Sequence, residues 1–141
     1  MMISLVKEQT GLEFIKEMEN QYKSIEEAEN TFKRNPTNMV LYVDLENWKH
    51  YLKNPNEKIK RTTSLVTDEL ILGEIELQLL NTIKRDNPKS ISELARLSGK
   101  DISVVQPKVK NLVKNGLIQL KKVYKNSKTP HLNYDHITID V

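Results

Sequence analysis

A mainly α chain with a small β-wing, an α+β arrangement, is the fold the sequence predicts: a winged helix-turn-helix with an N-terminal helical extension. Three observations carry that prediction. Ser90 to Val141 reads as a short helix, a tight turn, a second helix and two strands joined by a basic loop. Positive charge gathers in the same stretch, where eight lysines between Lys100 and Pro130 face only Asp101. Upstream of Leu65, ten bases meet ten acids, so that part is electrically balanced. The expected division is an extension over 1–64, used for dimerisation or partner binding, and a DNA-binding domain over 65–141.

At 141 residues, 38% hydrophobic and 29% charged, the composition is that of a globular protein rather than a disordered one. No apolar run approaches the roughly 20 residues that span a bilayer. Met1 to Val6 is too short for a signal-peptide core, and Lys7-Glu8 follow at once, so a cytoplasmic protein is expected. The absence of cysteine removes disulfides, thiolate nucleophiles and Cys-based zinc sites.

Residues 2–6 fit either a short strand or an irregular start. Thr10-Gly11-Leu12-Glu13 fits a capping box and predicts a helix running to Pro36. Ile15, Met18, Tyr22, Ile25 and Phe32 form its apolar stripe, a narrow seam that needs a partner. That partner is either the rest of this chain or a second subunit. Met39 to Val43 reads as a buried strand, with Asp44 capping a helix that carries Leu45, Trp48 and Leu52 on one face. Trp48 is in phase with its leucines and is therefore a core anchor rather than a stacking platform. Lys53 to Ser64, polar and containing Asn54-Pro55-Asn56, reads as a linker in which Lys58, Lys60 and Arg61 are a solvated charge run.

Leu65 to Asp86 is apolar on more than one helical face. Gly73 divides it, leaving Glu74 to Arg85 as the first helix of the winged domain. Asn87-Pro88 ends that helix, and Ser90-Ile91-Ser92-Glu93 opens the next through a second capping box. Gly99 suits the left-handed position at its end. The following helix holds Ile102, Val105, Val109 and Leu112 inward. Asp101 is one candidate cap, and Ser103 with Gln106 another. Pro107 favours the later cap or predicts a local distortion, because proline is tolerated only near a helix start. Leu117 to Tyr124 and His136 to Val141 read as the two wing strands, with Lys125 to Pro130 as the loop between them.

ISELARLSG, the D-x-x-x-V-x-x-x-V-x-x-L run from Asp101 to Leu112, the NGLI of Asn115 to Ile118 and the PHLNYDHI of Pro130 to Ile137 together resemble the MarR-like winged-helix regulators. They resemble more closely a family of small prokaryotic predicted transcriptional regulators related to them. The resemblance covers about Glu74 to Val141, with a weaker echo at Val43 to Leu52. It implies dimeric, sequence-specific DNA binding and a role in transcription, sometimes beside toxin-antitoxin genes. The chain departs from the pattern at Pro107, where such regulators often place a polar or basic residue, and in the extra sequence of Lys53 to Leu72.

The expected DNA-binding residues are Ser103, Gln106, Lys108, Lys110, Asn111 and Lys114 on the second helix, with Lys121, Lys122, Lys125 and Lys128 on the wing. A helix fits the major groove, Gln and Asn pair with adenine, and lysines reach guanine edges or phosphates. The expected protein is a homodimeric repressor on a pseudo-palindromic operator. An antitoxin or adaptor whose first half masks a protein partner is the alternative. No catalysis, metal or cofactor is expected. His131, Asp135 and His136 are the only cluster worth weighing for such a role, and adjacent strand residues face opposite ways.

Overall fold

The computed structural model describes residues 1–124 and 127–141, and of Tyr124 the backbone only. The elements run β1 (Met2–Thr10), α1 (Gly11–Tyr22), α2 (Ile25–Arg34), α3 (Met39–Lys53), β2 (Lys58–Val66), α4 (Glu74–Asp86), α5 (Ile91–Ser98), α6 (Ile102–Lys114), β3 (Gln119–Tyr124), β4 (Ser127–His131) and β5 (His136–Asp140). This corrects the predicted fold class. In place of a mainly α winged helix-turn-helix with one small wing and a helical extension, the chain is α+β with two sheets, ordered β2-β1-β5 and β3-β4.

The strand expected to complete the wing does something else. β5 pairs antiparallel with β1, setting Ile3 opposite Ile139 and Leu5 opposite Ile137. Ser127 to Pro130, expected as loop, lie in β4, which pairs with β3. Strict alternation in HITID identifies a strand but says nothing about which edge receives it. β2 takes up the second part of the expected linker and extends two residues beyond it, into Leu65-Val66. Its lysines, arginine and threonines are those of a strand with most of its side chains in solvent, and only Ile59, Arg61, Leu65 and their alternation mark it.

Contacts divide the chain into two compact units, Glu8–Arg61 and Met1–Lys7 with Thr62–Val141. The division expected at 64/65 thus falls at 61/62, and the first seven residues join the second unit.

In the 8–61 unit, Phe14, Ile15, Met18, Ala28, Leu41, Leu45 and Trp48 form one buried cluster, with Tyr22, Ile25, Phe32, Tyr51 and Ile59 packed against it. The seam of the first helix is therefore filled by the chain's own α3. Ile15 and Met18, at 7% and 2% exposure, are out of reach of a second subunit. The predicted single helix is two, because Lys23 turns left-handed at φ 70° and Ser24 accepts from the Glu27 amide. Ser24-Ile25-Glu26-Glu27 is an S-x-x-E signature that the continuous apolar stripe concealed.

Met39 to Val43, expected as a strand, forms the opening turns of α3. The Asn38 side chain accepts from the Leu41 amide at 3.1 Å. A short apolar run has no period of its own, and the i, i+4, i+7 alignment of Leu41, Leu45 and Trp48 decides for helix. Gly11 lets α1 start tight against the turn after α3: a Cβ there would lie 2.6 Å from the Asn54 carbonyl oxygen.

In the other unit, Leu79, Leu80 and Ile83 of α4, Leu94 and Ala95 of α5, and Val105, Val109 and Leu112 of α6 share a core with Ile3, Ile71, Leu117 and Ile118. Burying each large aliphatic side chain contributes about 1.5–3 kcal/mol. Ser90 caps α5 through the Glu93 amide at 3.0 Å, and Gly99, at φ 68°, ends it in the left-handed conformation. Three residues then lead into α6. None of the described helices is long and apolar enough to cross a membrane.

Candidate nucleic-acid interface

Burial of Val105, Val109 and Leu112 sets the orientation of α6. At 3.6 residues per turn, Ser103, Pro107, Lys110 and Lys114 then fall on the opposite side, with Val104, Gln106 and Asn111 flanking them. All seven are exposed. Asp101 is the cap, its Oδ1 accepting from the Ser103 amide at 2.8 Å and the Ser103 hydroxyl at 2.6 Å. Those two bonds hold the Asp101 carboxyl below the usual carboxylate range. The later cap does not form, so Pro107 lies inside the helix. With no N–H, it leaves the Ser103 carbonyl without the bond a regular helix would give it.

Lys108 is placed differently from its neighbours. On the flank towards α4, its ammonium donates to Glu76 Oε1 at 2.6 Å, with only 35% and 14% of the two side chains exposed. Glu76 also accepts from the Gly73 amide at 3.0 Å, closing the start of α4. Burial pushes the Glu76 carboxyl up, but the Lys108 hydrogen bond and charge and the backbone amides outweigh it, and the pKa lies below the ordinary value. Lys108 therefore braces α6 against α4. No sequence signal links residues 32 apart in this way. Asn111 is partly engaged as well: its backbone carbonyl and Oδ1 accept from the Asn115 side chain at 2.9 and 3.4 Å.

On the β3–β4 hairpin, Lys122 lies directly opposite Lys128 and Lys121 opposite Thr129. Successive strand residues alternate faces, so Lys121 points away from the Lys122–Lys128 pair. All three lysines are exposed. Lys125 lies outside the described residues. The hairpin is tied to its unit by Thr129, which donates to the Lys89 carbonyl at 2.8 Å, and the segment after it by Tyr134, which donates to the Leu117 carbonyl at 2.7 Å. Burial pushes the Tyr134 hydroxyl up to about 12.

No acid occurs anywhere from Ile102 to His131. Among the described residues, Lys110, Lys114, Lys121, Lys122 and Lys128 have no ion pair. His131 adds to the positive field when protonated, although burial and then the charges of Lys121 and Lys7 lower its pKa. The Asp135 amide donates to the Val6 carbonyl, and its carbonyl accepts from Lys84. His131, Asp135 and His136 do not converge on a common point: no group of three or more potential metal ligands occurs among the described residues.

Residues 71–139, from just before α4 into β5, match the model of a protein family described as HVO_A0114. No curated protein and no solved structure matches the chain.

Proposed function

We propose that the protein is a sequence-specific DNA-binding transcriptional regulator of the cytoplasm, a homodimeric repressor that occupies a pseudo-palindromic operator without catalysis or cofactor. The observation that carries this reading is the set of exposed, unpaired lysines on α6 and the β3–β4 hairpin, in a stretch of thirty residues without an acid. Lys122 and Lys128 repel each other across the hairpin, a cost that a polyanion removes. At 13 residues α6 is about 20 Å long, enough to lie in a major groove about 12 Å wide.

In that groove Gln106 and Asn111 suit adenine, and Lys110 and Lys114 suit guanine edges or phosphates. Val104 and Pro107 add an apolar strip that suits thymine methyl groups. The hairpin lysines contact the phosphate backbone, which positions the protein but does not specify sequence. Two subunits would read half-sites about 34 Å apart, or a multiple of that.

Titration of the full chain against the DNA upstream of its own gene tests the reading. Specific binding should weaken steeply with salt, and Lys110→Ala with Lys114→Ala should reduce both affinity and salt slope, the slope by about 2. Lys108→Ala is a poor probe, since it removes the brace to Glu76. Specific binding that survives the Lys110 and Lys114 changes intact would sink this surface.

Exposed Met39, Val40 and Val43 on α3, at 61%, 73% and 51%, favour a second reading in which the protein is an antitoxin or adaptor gripping a protein partner. In that case Val40→Asp with Val43→Asp should abolish co-purification with the product of a neighbouring gene.

A further inference from the structure

We infer that β5 is the surface on which two copies of this chain join, strand against strand, antiparallel and centred on Thr138. The inference gives the homodimer of the DNA-binding reading a surface, yet it concerns self-association and is measured without DNA, so either can fail alone. β5 lies at the edge of the three-stranded sheet, with β1 on one side and no strand among the described residues on the other. Alternate residues of β5 therefore direct their N–H and C=O groups outward, a template for another strand.

The two edges of that sheet differ. β2 carries Lys58, Lys60 and Arg61 in its first half, the kind of charge with which native proteins deter a neighbour at an edge. β5, His136-Ile137-Thr138-Ile139-Asp140, has no lysine, arginine or proline, and it pairs with β1 from end to end without a bulge. Its two isoleucines and threonine are β-branched, which suits a paired strand.

What selects a second copy as the occupant is that this strand is complementary to itself read backwards. A two-fold axis at Thr138 sets His136 opposite the partner's Asp140, Ile137 opposite the partner's Ile139 and the two threonines opposite each other. His136, Thr138 and Asp140 share one face and are all exposed. On that face each imidazole N–H donates to a carboxylate across the axis, and the two hydroxyls meet. The isoleucines take the other face. Within one chain Ile137 lies opposite Leu5 and Ile139 opposite the fully buried Ile3, yet Ile139 is left 47% exposed. The partner's Ile137 would cover it, carrying the apolar row unbroken from one copy into the next. Sliding the register by two residues either way loses both histidine–aspartate pairs. Five residues a side make a small contact, at the low end of specific interfaces, so the dimer should dissociate in the micromolar range.

Sedimentation equilibrium of the full-length chain, from micromolar to millimolar concentration, should show a monomer–dimer equilibrium. His136→Asp sets carboxylates opposite each other at both ends of the pairing, and Asp140→Lys removes both acceptors; each should weaken self-association at least about tenfold. An equal mixture of the two variants should recover it to within about threefold, because each copy again meets acid with base in the other. Misfolding of either variant could not give that recovery. In the wild type, amides of β5 should gain protection from hydrogen exchange as the protein is concentrated, while those of β2 should not, a readout that holds even if the variants fail to fold. A chain that stays monomeric at millimolar concentration overturns the inference. So does a dimer that both substitutions leave intact, a mixture that associates no better than its components, or protection that grows at β2 instead of β5.

Discussion

The cations of the two units live in different surroundings. Residues 8–61 carry nine bases and ten acids, and they interleave: Lys49 lies 3.8 Å from Glu29 and 3.9 Å from Glu46, and Arg61 lies 3.7 Å from Glu17. In the other unit, the stretch from Ile102 to His131 has no acid. Among its described residues the engaged lysine is Lys108, which reaches back to α4 to find Glu76. A lysine beside a carboxylate leaves little field for a distant partner, whereas lysines with only other lysines near them hold a potential that attracts polyanions. Counting bases along the chain misses this difference, which lies in what each base has beside it.

Charge reversal should break the contrast most sharply. Lys122→Glu with Lys128→Glu should lower affinity for upstream DNA by at least about tenfold and reduce the salt slope by about 2, while Lys33→Glu with Lys49→Glu should leave both unchanged. Fluorescence anisotropy across a salt series measures this. Equal losses from the two pairs would mean that net charge matters and its surroundings do not.

The engaged lysine gives the next effect. Glu76→Gln should cost about 1–3 kcal/mol, because it leaves a half-buried ammonium without its carboxylate. The folded pKa of Glu76 lies below its ordinary 4.5, so its stabilisation is present above pH 4.5 and is lost as pH falls through the lowered value. Urea denaturation at a series of pH values should show the two proteins converging in acid. A gap that stays constant from pH 7 to about pH 3 would rule out the ion pair as its source.

The smallest effect belongs to the balanced unit. Arg61 sits 4.9 Å from the ring centroid of the buried Phe14 and pairs with Glu17, and only the two charged side chains are near the surface. Arg61→Ala should cost only about 0.5–1 kcal/mol by chemical denaturation and leave DNA affinity intact.

Much of the candidate interface was legible from residue order. Ser90 and Gly99 mark the ends of α5 through their own local chemistry, and Val105, Val109 and Leu112 orient α6 through period alone. Asp101 and Ser103 were both plausible caps, and the choice rested on a 2.6 Å hydroxyl contact that no pattern records. Errors came where a local signal admits two readings. Met39 to Val43 is apolar enough for a strand or a buried helix, and only packing of Leu41, Leu45 and Trp48 against α1 and α2 distinguishes them. Lys53 to Ser64 reads as a linker because most of its side chains are solvated, yet β2 within it pairs along one edge with β1.

Composition and short-range pattern suffice to place the basic stretch, to cap its helices and to put Lys110 and Lys114 on an outer face, because charge and helical period are properties of neighbouring residues. Strand partners, the occupant of the Ile15–Phe32 seam and the capture of Lys108 by Glu76 are decided only in three dimensions. Each joins segments separated by other elements of the chain: β1 with β5, α1 with α3, and α4 with α6. Such pairings are chosen by which surfaces bury best together, and no window of sequence contains both sides of that choice.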